Sequence, residues 1–295
     1  MRISKSNKLS IVITTGDPAG IGREVVDKAL KNISLKKKVN IILVDEPVKG
    51  VKTGHASKIS GRISYEKIKK GVSILQAIKH KRKALVTAPI NKYSLSLAGV
   101  KAQGHTEILA SLTGTDKYAM MFTKDDFKVV LVTRHIPLGQ VPGLITVSGI
   151  VDTTKLFCAA LIKYFKIGSP KIGVAGLNPH AGDNGSIGKE EENVIMPAIS
   201  ILRKAMPGIT GPVPADVVFH QHLNGKLDGV VSMYHDQALA PFKMLHFDTG
   251  VNMTLGLPFV RTSPDHGTAY DIAGKGIASP VSMMNAIKVA IKCIC

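Results

Sequence analysis

Tryptophan is absent from this 295-residue chain, and aromatic residues make up only 5% of it. Proteins that hold single-stranded nucleic acid rely on stacking rings, so that class has little to work with here. Apolar runs are short. None reaches the length of about 18 residues that a membrane-spanning helix needs. The opening Met1–Lys8 leads into a brief apolar stretch that Gly16-Asp17-Pro18 stops, too short for a secretory core and without a cleavage site. Cysteine is scarce. Cys158, Cys293 and Cys295 form neither a C-x-x-C pair nor an even framework, as expected of reduced thiols in a cytoplasmic protein. Long like-charge tails are missing, and hydrophobic residues at 44% exclude wholesale disorder.

Charge, by contrast, is plentiful and unevenly placed. The chain carries 39 Lys+Arg against 21 Asp+Glu, a formal charge of +18. Between Lys28 and Lys83 stand 16 basic residues and only three acidic ones, Asp45, Glu46 and Glu66. That segment supplies +13. The remainder, with 23 basic and 18 acidic residues, supplies +5. A uniformly basic polymer binder is therefore disfavoured. The cations of the basic segment are expected on a solvated surface, where they attract anionic ligands from a distance.

Short β-branched runs alternate with helical patterns. Strands are expected at Ser10–Thr14, Asn40–Val44, Ala84–Ala88, Lys128–Thr133, Lys171–Ala175 and Gly229–Met233. Helices are expected at Ile21–Leu30, Tyr65–Ile78, Thr153–Phe165, Val194–Met206 and Ser282–Ile294. Near-continuous apolar strands separated by helices predict an α/β fold with a mostly parallel sheet covered on both faces. No repeat or low-complexity linker marks a boundary. A chain that leaves one domain and returns to it, and two domains in series, both remain open.

Ligands of such sheets sit beyond the carboxyl ends of the strands. Thr14-Thr15-Gly16-Asp17, Thr87–Lys92, Arg134-His135, Asn178-Pro179-His180 and Tyr234-His235-Asp236 all fall there. His135, His180 and His235 each follow an expected strand. Three imidazoles with an open position suit Zn, Co, Ni or Fe(II), with Mn or Mg if oxygens join. A single strand-end histidine is more often a simple hydrogen-bonding residue; three in equivalent places are not so easily dismissed. His220 and His222 form H-x-H on a polar stretch, where alternate strand positions would face the same way and could hold an ion. Gly16–Gly22 is a glycine-rich βα turn that fits neither G-x-G-x-x-G nor the P-loop spacing. A phosphate could still rest on the helix start that follows.

The string Asp265-His266-Gly267-Thr268-Ala269-Tyr270-Asp271-Ile272-Ala273-Gly274-Lys275-Gly276-Ile277-Ala278-Ser279-Pro280 resembles the adenosine-binding loop of the isocitrate/isopropylmalate dehydrogenase superfamily. Small residues let backbone approach an adenine. A carboxylate such as Asp271 accepts from ribose hydroxyls and repels a 2′-phosphate, which favours NAD over NADP. With this loop placed, Gly16–Gly22, Gly104-His105-Thr106-Glu107, His135-Ile136-Pro137-Leu138, Leu177–Gly182, Pro214-Ala215-Asp216, Met233–Gln237 and Gly250–Ser263 resemble the PdxA family of vitamin B6 biosynthesis, the 4-hydroxythreonine-4-phosphate dehydrogenases. The similarity runs from about residue 10 to 30 and from 84 to the C-terminus. Asp17 stands where the family usually has Glu, residues 31–83 are short and show no family motif, and Gly139–Gly143 departs from the expected pattern.

The resemblance implies two α/β/α subdomains around a cleft. Residues 1–115 and 251–295 would form a nucleotide-binding part, and 116–250 a metal, substrate and dimerisation part. It implies NAD as cofactor, with His266, Gly267, Ala269 and Asp271 contacting it. It also implies one divalent ion (Zn, Mg, Mn or Co) held by His135, His180 and His235 from both subunits of a homodimer. Substrate contacts would fall on His105, Thr106, Lys243, Asn252 and Arg261. The reaction implied is oxidation of a secondary alcohol, giving a β-keto acid that loses CO2. Lys243, or Asp216 through a water, is the candidate base, and Lys243 and Arg261 suit phosphate or carboxylate. Threonate 4-phosphate is an alternative substrate. A basic nucleic-acid binder and a fold-related phosphate acyltransferase are more distant alternatives; the first lacks stacking residues, and the second has no use for the histidines or the adenosine-like loop.

Overall fold

In a computed structural model of the chain, the described residues are 9–34, 39–46, 48–102 and 104–295. The opening Met1–Lys8 and the Lys36–Lys38 part of the basic segment lie outside them. The chain divides into two compact units. One comprises the residues up to Asp116 together with Leu257–Cys295; the other is Lys117–Gly256.

The first unit opens with strand β1 (Leu9–Thr14), helix α1 (Gly22–Asn32), β2 (Val39–Val44), α2 (Lys58–Ala77), β3 (Lys83–Thr87), α3 (Lys92–Leu97) and α4 (His105–Thr113). The second unit follows with β4 (Ala119–Lys124), β5 (Phe127–Leu131), a short α5 (Val141–Leu144), α6 (Val147–Phe165), β6 (Ile172–Ala175), α7 (Met196–Arg203), β7 (Ile209–Val213), α8 (Ala215–Leu223), β8 (Gly229–Ser232), α9 (His235–His246) and β9 (Val251–Leu255). The chain returns to the first unit with β10 (Val260–Pro264) and α10 (Val281–Ile294).

The first unit's strands lie in the order β2-β1-β3-β10, all parallel. Alternation along each strand splits the side chains between two helical layers. Val12 and Leu85 pack with Ile68, Val72 and Leu75 of α2 and Ile108 and Leu109 of α4. On the opposite face the Thr262 hydroxyl donates to the Ala286 carbonyl of α10. Arg261, paired in register with Leu85, therefore belongs to the α2–α4 face. Helix α2 begins seven residues earlier than its apolar pattern indicates. Ser57 and Ser60 form a reciprocal capping box there, and Gly61 and two serines dilute the helical signal downstream.

The second unit's strands lie in the order β9-β4-β5-β8-β6-β7. The expected parallel pairing holds for β5-β8, β8-β6 and β6-β7, but β4 runs antiparallel to both β5 and β9. The reason is local: Asp125 and Asp126 make a two-residue turn between β4 and β5, with Asp125 at φ 50°, and so short a link permits only a hairpin. Phe122, Phe127, Phe219 and Phe242 centre the core beneath α8 and α9. Ring centroids of 5.5–6.0 Å join Phe127 to Phe219 and Phe242.

The H-x-H reading is corrected here. His220 and His222 lie on helix α8, not on a strand, so they face different ways. His222 is buried; its Nε2 accepts from the Lys128 N–H at 2.9 Å, and its Nδ1 lies 2.8 Å from the Leu227 carbonyl. Both ring nitrogens are committed to backbone, and burial holds this imidazole below its usual pKa.

Candidate functional site

In the first unit, the glycine-rich turn after β1 packs against the 265–280 string. The Ile21 N–H donates to the Thr268 carbonyl at 3.0 Å, and a Cβ at Gly20 would stand 2.7 Å from that same oxygen. Only hydrogen fits there. Asp17 is fully buried; it accepts from the Ala19 N–H at 2.8 Å and from the Tyr270 hydroxyl at 2.7 Å. Burial and the Asp17 charge push the Tyr270 phenol up to about 12. Lys28 donates to the Gly276 and Ala278 carbonyls, and Glu24 accepts from the Ala278 N–H, so α1 fastens the far end of the string. Asp271 is exposed, and a Cβ at Gly267 would meet nothing within 4 Å. The loop thus leaves open backbone at Gly267 and an exposed carboxylate at Asp271. Ala269 holds a left-handed φ of 42°.

Lys67 was missed by sequence reasoning. It is 2% exposed beneath the first turn. Its ammonium donates to Thr15 Oγ1 at 2.8 Å and lies 3.3 Å from Asp45 Oδ1. Asp45 in turn accepts from Thr15 and pairs with Arg23. Burial brings the Lys67 ammonium down to about 8. Asp45, although at the end of β2, is committed to this cluster rather than presented to a ligand.

His105, Thr106 and Arg261 come together on the α4 side of the same unit. Arg261 is 3% exposed on β10 and donates to Thr87 Oγ1 at 2.7 Å, at the end of β3. Burial lowers its guanidinium to about 9, against the opposing charge of Glu107. His105 opens α4. The residue is partly exposed, but its Nε2 is enclosed and has no hydrogen-bond partner among the described residues. Burial first, and Arg261 second, hold it well below its usual pKa, so it is neutral at pH 7. A buried cation, a neutral imidazole with an unpaired nitrogen and the Thr106 hydroxyl at a helix start suit an anionic oxygen group. Sequence reasoning did not find Thr87 and Glu107 as partners of Arg261. Residue type carries no signal for them, since they lie 174 and 154 positions away.

In the second unit, the His135 and His235 rings lie with centroids 5.4 Å apart. His235 Nδ1 is 2.7 Å from Asp236 Oδ1, an arrangement that leaves Nε2 for a cation. His180 is exposed, on a loop in which His180, Ala181, Gly182, Asp183 and Asn184 are all left-handed. Each of the four non-glycine residues in that run costs roughly 1–3 kcal/mol, so the loop must be held from outside. Among the described residues, no group of three or more His, Cys, Asp or Glu could hold a metal ion within one chain. Two neighbouring imidazoles still fit an ion whose remaining ligands come from elsewhere. Lys243 sits on α9 with its ammonium 5.6 Å from the Phe247 ring, Asn252 is half-buried on β9, opposite Phe122, and Asp216 is exposed in the first turn of α8.

Known proteins resemble this chain along nearly its whole length. The model of a family described as pyridoxal phosphate biosynthetic protein PdxA matches residues 8–290. A 4-hydroxythreonine-4-phosphate dehydrogenase from Desulfosudis oleivorans is 42% identical, over 95% of each chain. That match spans 320 positions, more than the 295 residues present here, so the relative has residues without a counterpart in this chain. A protein provisionally named D-threonate 4-phosphate dehydrogenase from Oceanobacillus iheyensis is 37% identical, over 97% of this chain and 98% of its own. The crystal structure of a 4-hydroxythreonine-4-phosphate dehydrogenase from Klebsiella pneumoniae superposes with a TM-score of 0.84 at 34% identity, covering 99% of each chain. An isocitrate dehydrogenase from Methylococcus capsulatus shares the fold alone, with a TM-score of 0.52 at 15% identity over 96% of this chain and 85% of its own.

Proposed function

The chain belongs to the PdxA family, and from that membership we propose that it oxidises 4-hydroxythreonine 4-phosphate with NAD. The product is a 2-amino-3-oxo acid phosphate that loses CO2 to give 3-amino-2-oxopropyl phosphate, on the route to pyridoxal phosphate. The observation that carries the reading is the buried Arg261 beside His105. A desolvated guanidinium next to an enclosed neutral imidazole suits an anionic oxygen group of a substrate.

Arg261 binds an oxyanion of the substrate, with His105 and Thr106 as neutral donors. Asn252 orients a second polar group. His135, His180 and His235 hold a divalent ion, with Zn, Mg, Mn and Co all compatible with imidazole or mixed ligation. When bound, the ion supplies Lewis-acid polarisation of the substrate oxygen, and the dinucleotide supplies the two-electron acceptor. The hydroxyl proton passes to Lys243, or to Asp216 through a water. Breaking the bond to the carboxylate then releases CO2, and the ketone oxygen takes up the electron pair.

His266, Gly267, Ala269 and Asp271 face the dinucleotide, and the Asp271 carboxylate selects NAD against NADP. A second copy of the chain completes the metal set. Met244, Leu245 and Phe247 on and just after α9, at 88%, 50% and 70% exposure, are large apolar residues suited to that contact. The three cysteines are free and no single described helix is long and apolar enough to cross a membrane. Both observations are compatible with work in the cytoplasm.

The test is NADH formation from synthetic 4-hydroxythreonine 4-phosphate, with and without chelator. Turnover that chelator abolishes and added divalent metal restores is the expected result; turnover indifferent to chelator refutes the metal assignment. D-threonate 4-phosphate is the second reading, favoured by the Oceanobacillus relative. It differs only in a hydroxyl for the amino group, so assay of both substrates side by side decides.

A further inference from the structure

We propose that Glu191 and Gln237 are positioning residues that hold the three histidine loops of the second unit at their working separations. The inference rests on the metal reading above. The β-ladder ends at Ala175, Ser232 and Leu131, three to five residues before the histidines. Beyond those points the loops are tied by other bonds. Thr133, two residues before His135, donates from both its N–H and its hydroxyl to the Met233 carbonyl, at 3.1 and 2.7 Å. Met233, two residues before His235, donates its N–H to Gln237 Oε1 at 2.7 Å. Gln237 Nε2 donates to the Gly176 carbonyl, also at 2.7 Å. Past Gly176, the Leu177 and Asn178 N–H groups donate to Glu191 Oε1 at 2.7 and 2.8 Å, and Asn178 Nδ2 donates to Glu191 Oε2 at 2.8 Å. The relay runs unbroken from the His135 loop through the His235 loop to the His180 loop.

Both side chains are shielded from water, Glu191 at 3% and Gln237 at 7% exposure, so their bonds are not readily exchanged for solvent. Glu191 starts one turn of π-helix, a rare geometry that often marks functional sites. Space has been left for its carboxylate. A Cβ at Gly182 would stand 2.7 Å from Glu191 Oε2, and one at Gly176 3.2 Å from Oε1. A structural pin alone would need only to close a turn. These two residues instead bond to the backbone on which the histidines ride, and the left-handed run from His180 to Asn184 has every reason to relax once released.

The experiment uses the full chain stripped with chelator and titrated with Co2+, read by visible absorption and equilibrium dialysis, with thermal unfolding as a check on folding. Outer-shell partners of metal ligands typically govern affinity by ~10–100-fold. Glu191→Gln and Gln237→Leu are each expected to weaken Co2+ at least ~10-fold and to alter its absorption bands. Gln237→Glu keeps the acceptor for Met233 but loses the donor to Gly176, and should fall between. Glu192→Gln, whose side chain is half exposed beside Lys189, should bind as the parent does. If the parent binds Co2+ and His180→Ala weakens it, while Glu191→Gln and Gln237→Leu bind as the parent, the positioning inference is overturned and the metal reading stands. If the parent does not bind, or His180→Ala binds equally well, the metal reading falls and the inference with it. Should Glu191→Gln fail to fold, Gln237→Leu decides, because it replaces an amide by an apolar group of similar volume.

Discussion

Lys67 shows how far burial departs from what composition suggests. It belongs to the segment whose cations are expected in solvent, yet it is 2% exposed and bonded to Thr15 and Asp45. Its ammonium titrates near 8 in the fold against 10.5 in a free chain, because burial penalises the charge. Between those values the unfolded chain binds the extra proton, so the contribution of Lys67 to stability rises from about pH 8 upward. Urea midpoints at pH 8 and pH 10 should therefore diverge less in Lys67→Met than in the parent; an equal pH response in both would refute the shift. Lys28 and Lys83 are also recruited, Lys28 onto the 265–280 string and Lys83 onto the Leu75 and Ile78 carbonyls at the end of α2. Arg261 and His105 were legible through their motifs. That Arg261 would be buried against Thr87 was not, since that depends on which face of β10 meets α4.

Helix α2 inverts an ordinary rule about glycine. Replacing a mid-helix glycine by alanine normally stabilises by about 1 kcal/mol. At Gly61, however, a Cβ would stand 1.9 Å from the Ser94 carbonyl of α3. Overpacking against backbone costs ~1–3 kcal/mol, so Gly61→Ala should lower the melting temperature by several degrees. A rise in melting temperature would contradict the packing. The helices read most clearly from sequence, α1, α6 and α10, have clean apolar faces. Those not anticipated have interruptions: α9 contains Pro241, α8 carries two histidines in nine residues, and α4 has a glycine, Gly104, at its N-cap and so no side-chain cap. Tertiary packing of Phe219 on α8 and Phe242 on α9 against Phe127 of β5, rather than propensity, makes α8 and α9 form. Glu191 was invisible for a related reason. In Lys189-Glu190-Glu191-Glu192 it looks like one more solvated charge at a helix start.

The two units differ in how much of each was foreseeable. The all-parallel first unit follows from apolar strands alternating with helices. The second departs from that pattern at β4, where a hairpin introduces antiparallel pairing. The return to the first unit begins at Leu257 rather than at the expected residue 251, because Val251–Leu255 pairs with β4. If a second copy completes the metal set, sedimentation equilibrium should give a dimer. Met244→Glu combined with Phe247→Glu should then give monomers that bind Co2+ weakly, whereas a parent protein that is monomeric at micromolar concentration would refute the shared site. Local order and residue chemistry were enough to specify an α/β fold, the family and the identities of the candidate ligands, because strand periodicity, turn glycines and motif spacing are encoded within short stretches. Which carboxylates and amides are buried, which cations lose their water, and how three histidine loops are tied together depend on contacts between residues tens to hundreds of positions apart, and those exist only once the sheet has brought its strand ends side by side.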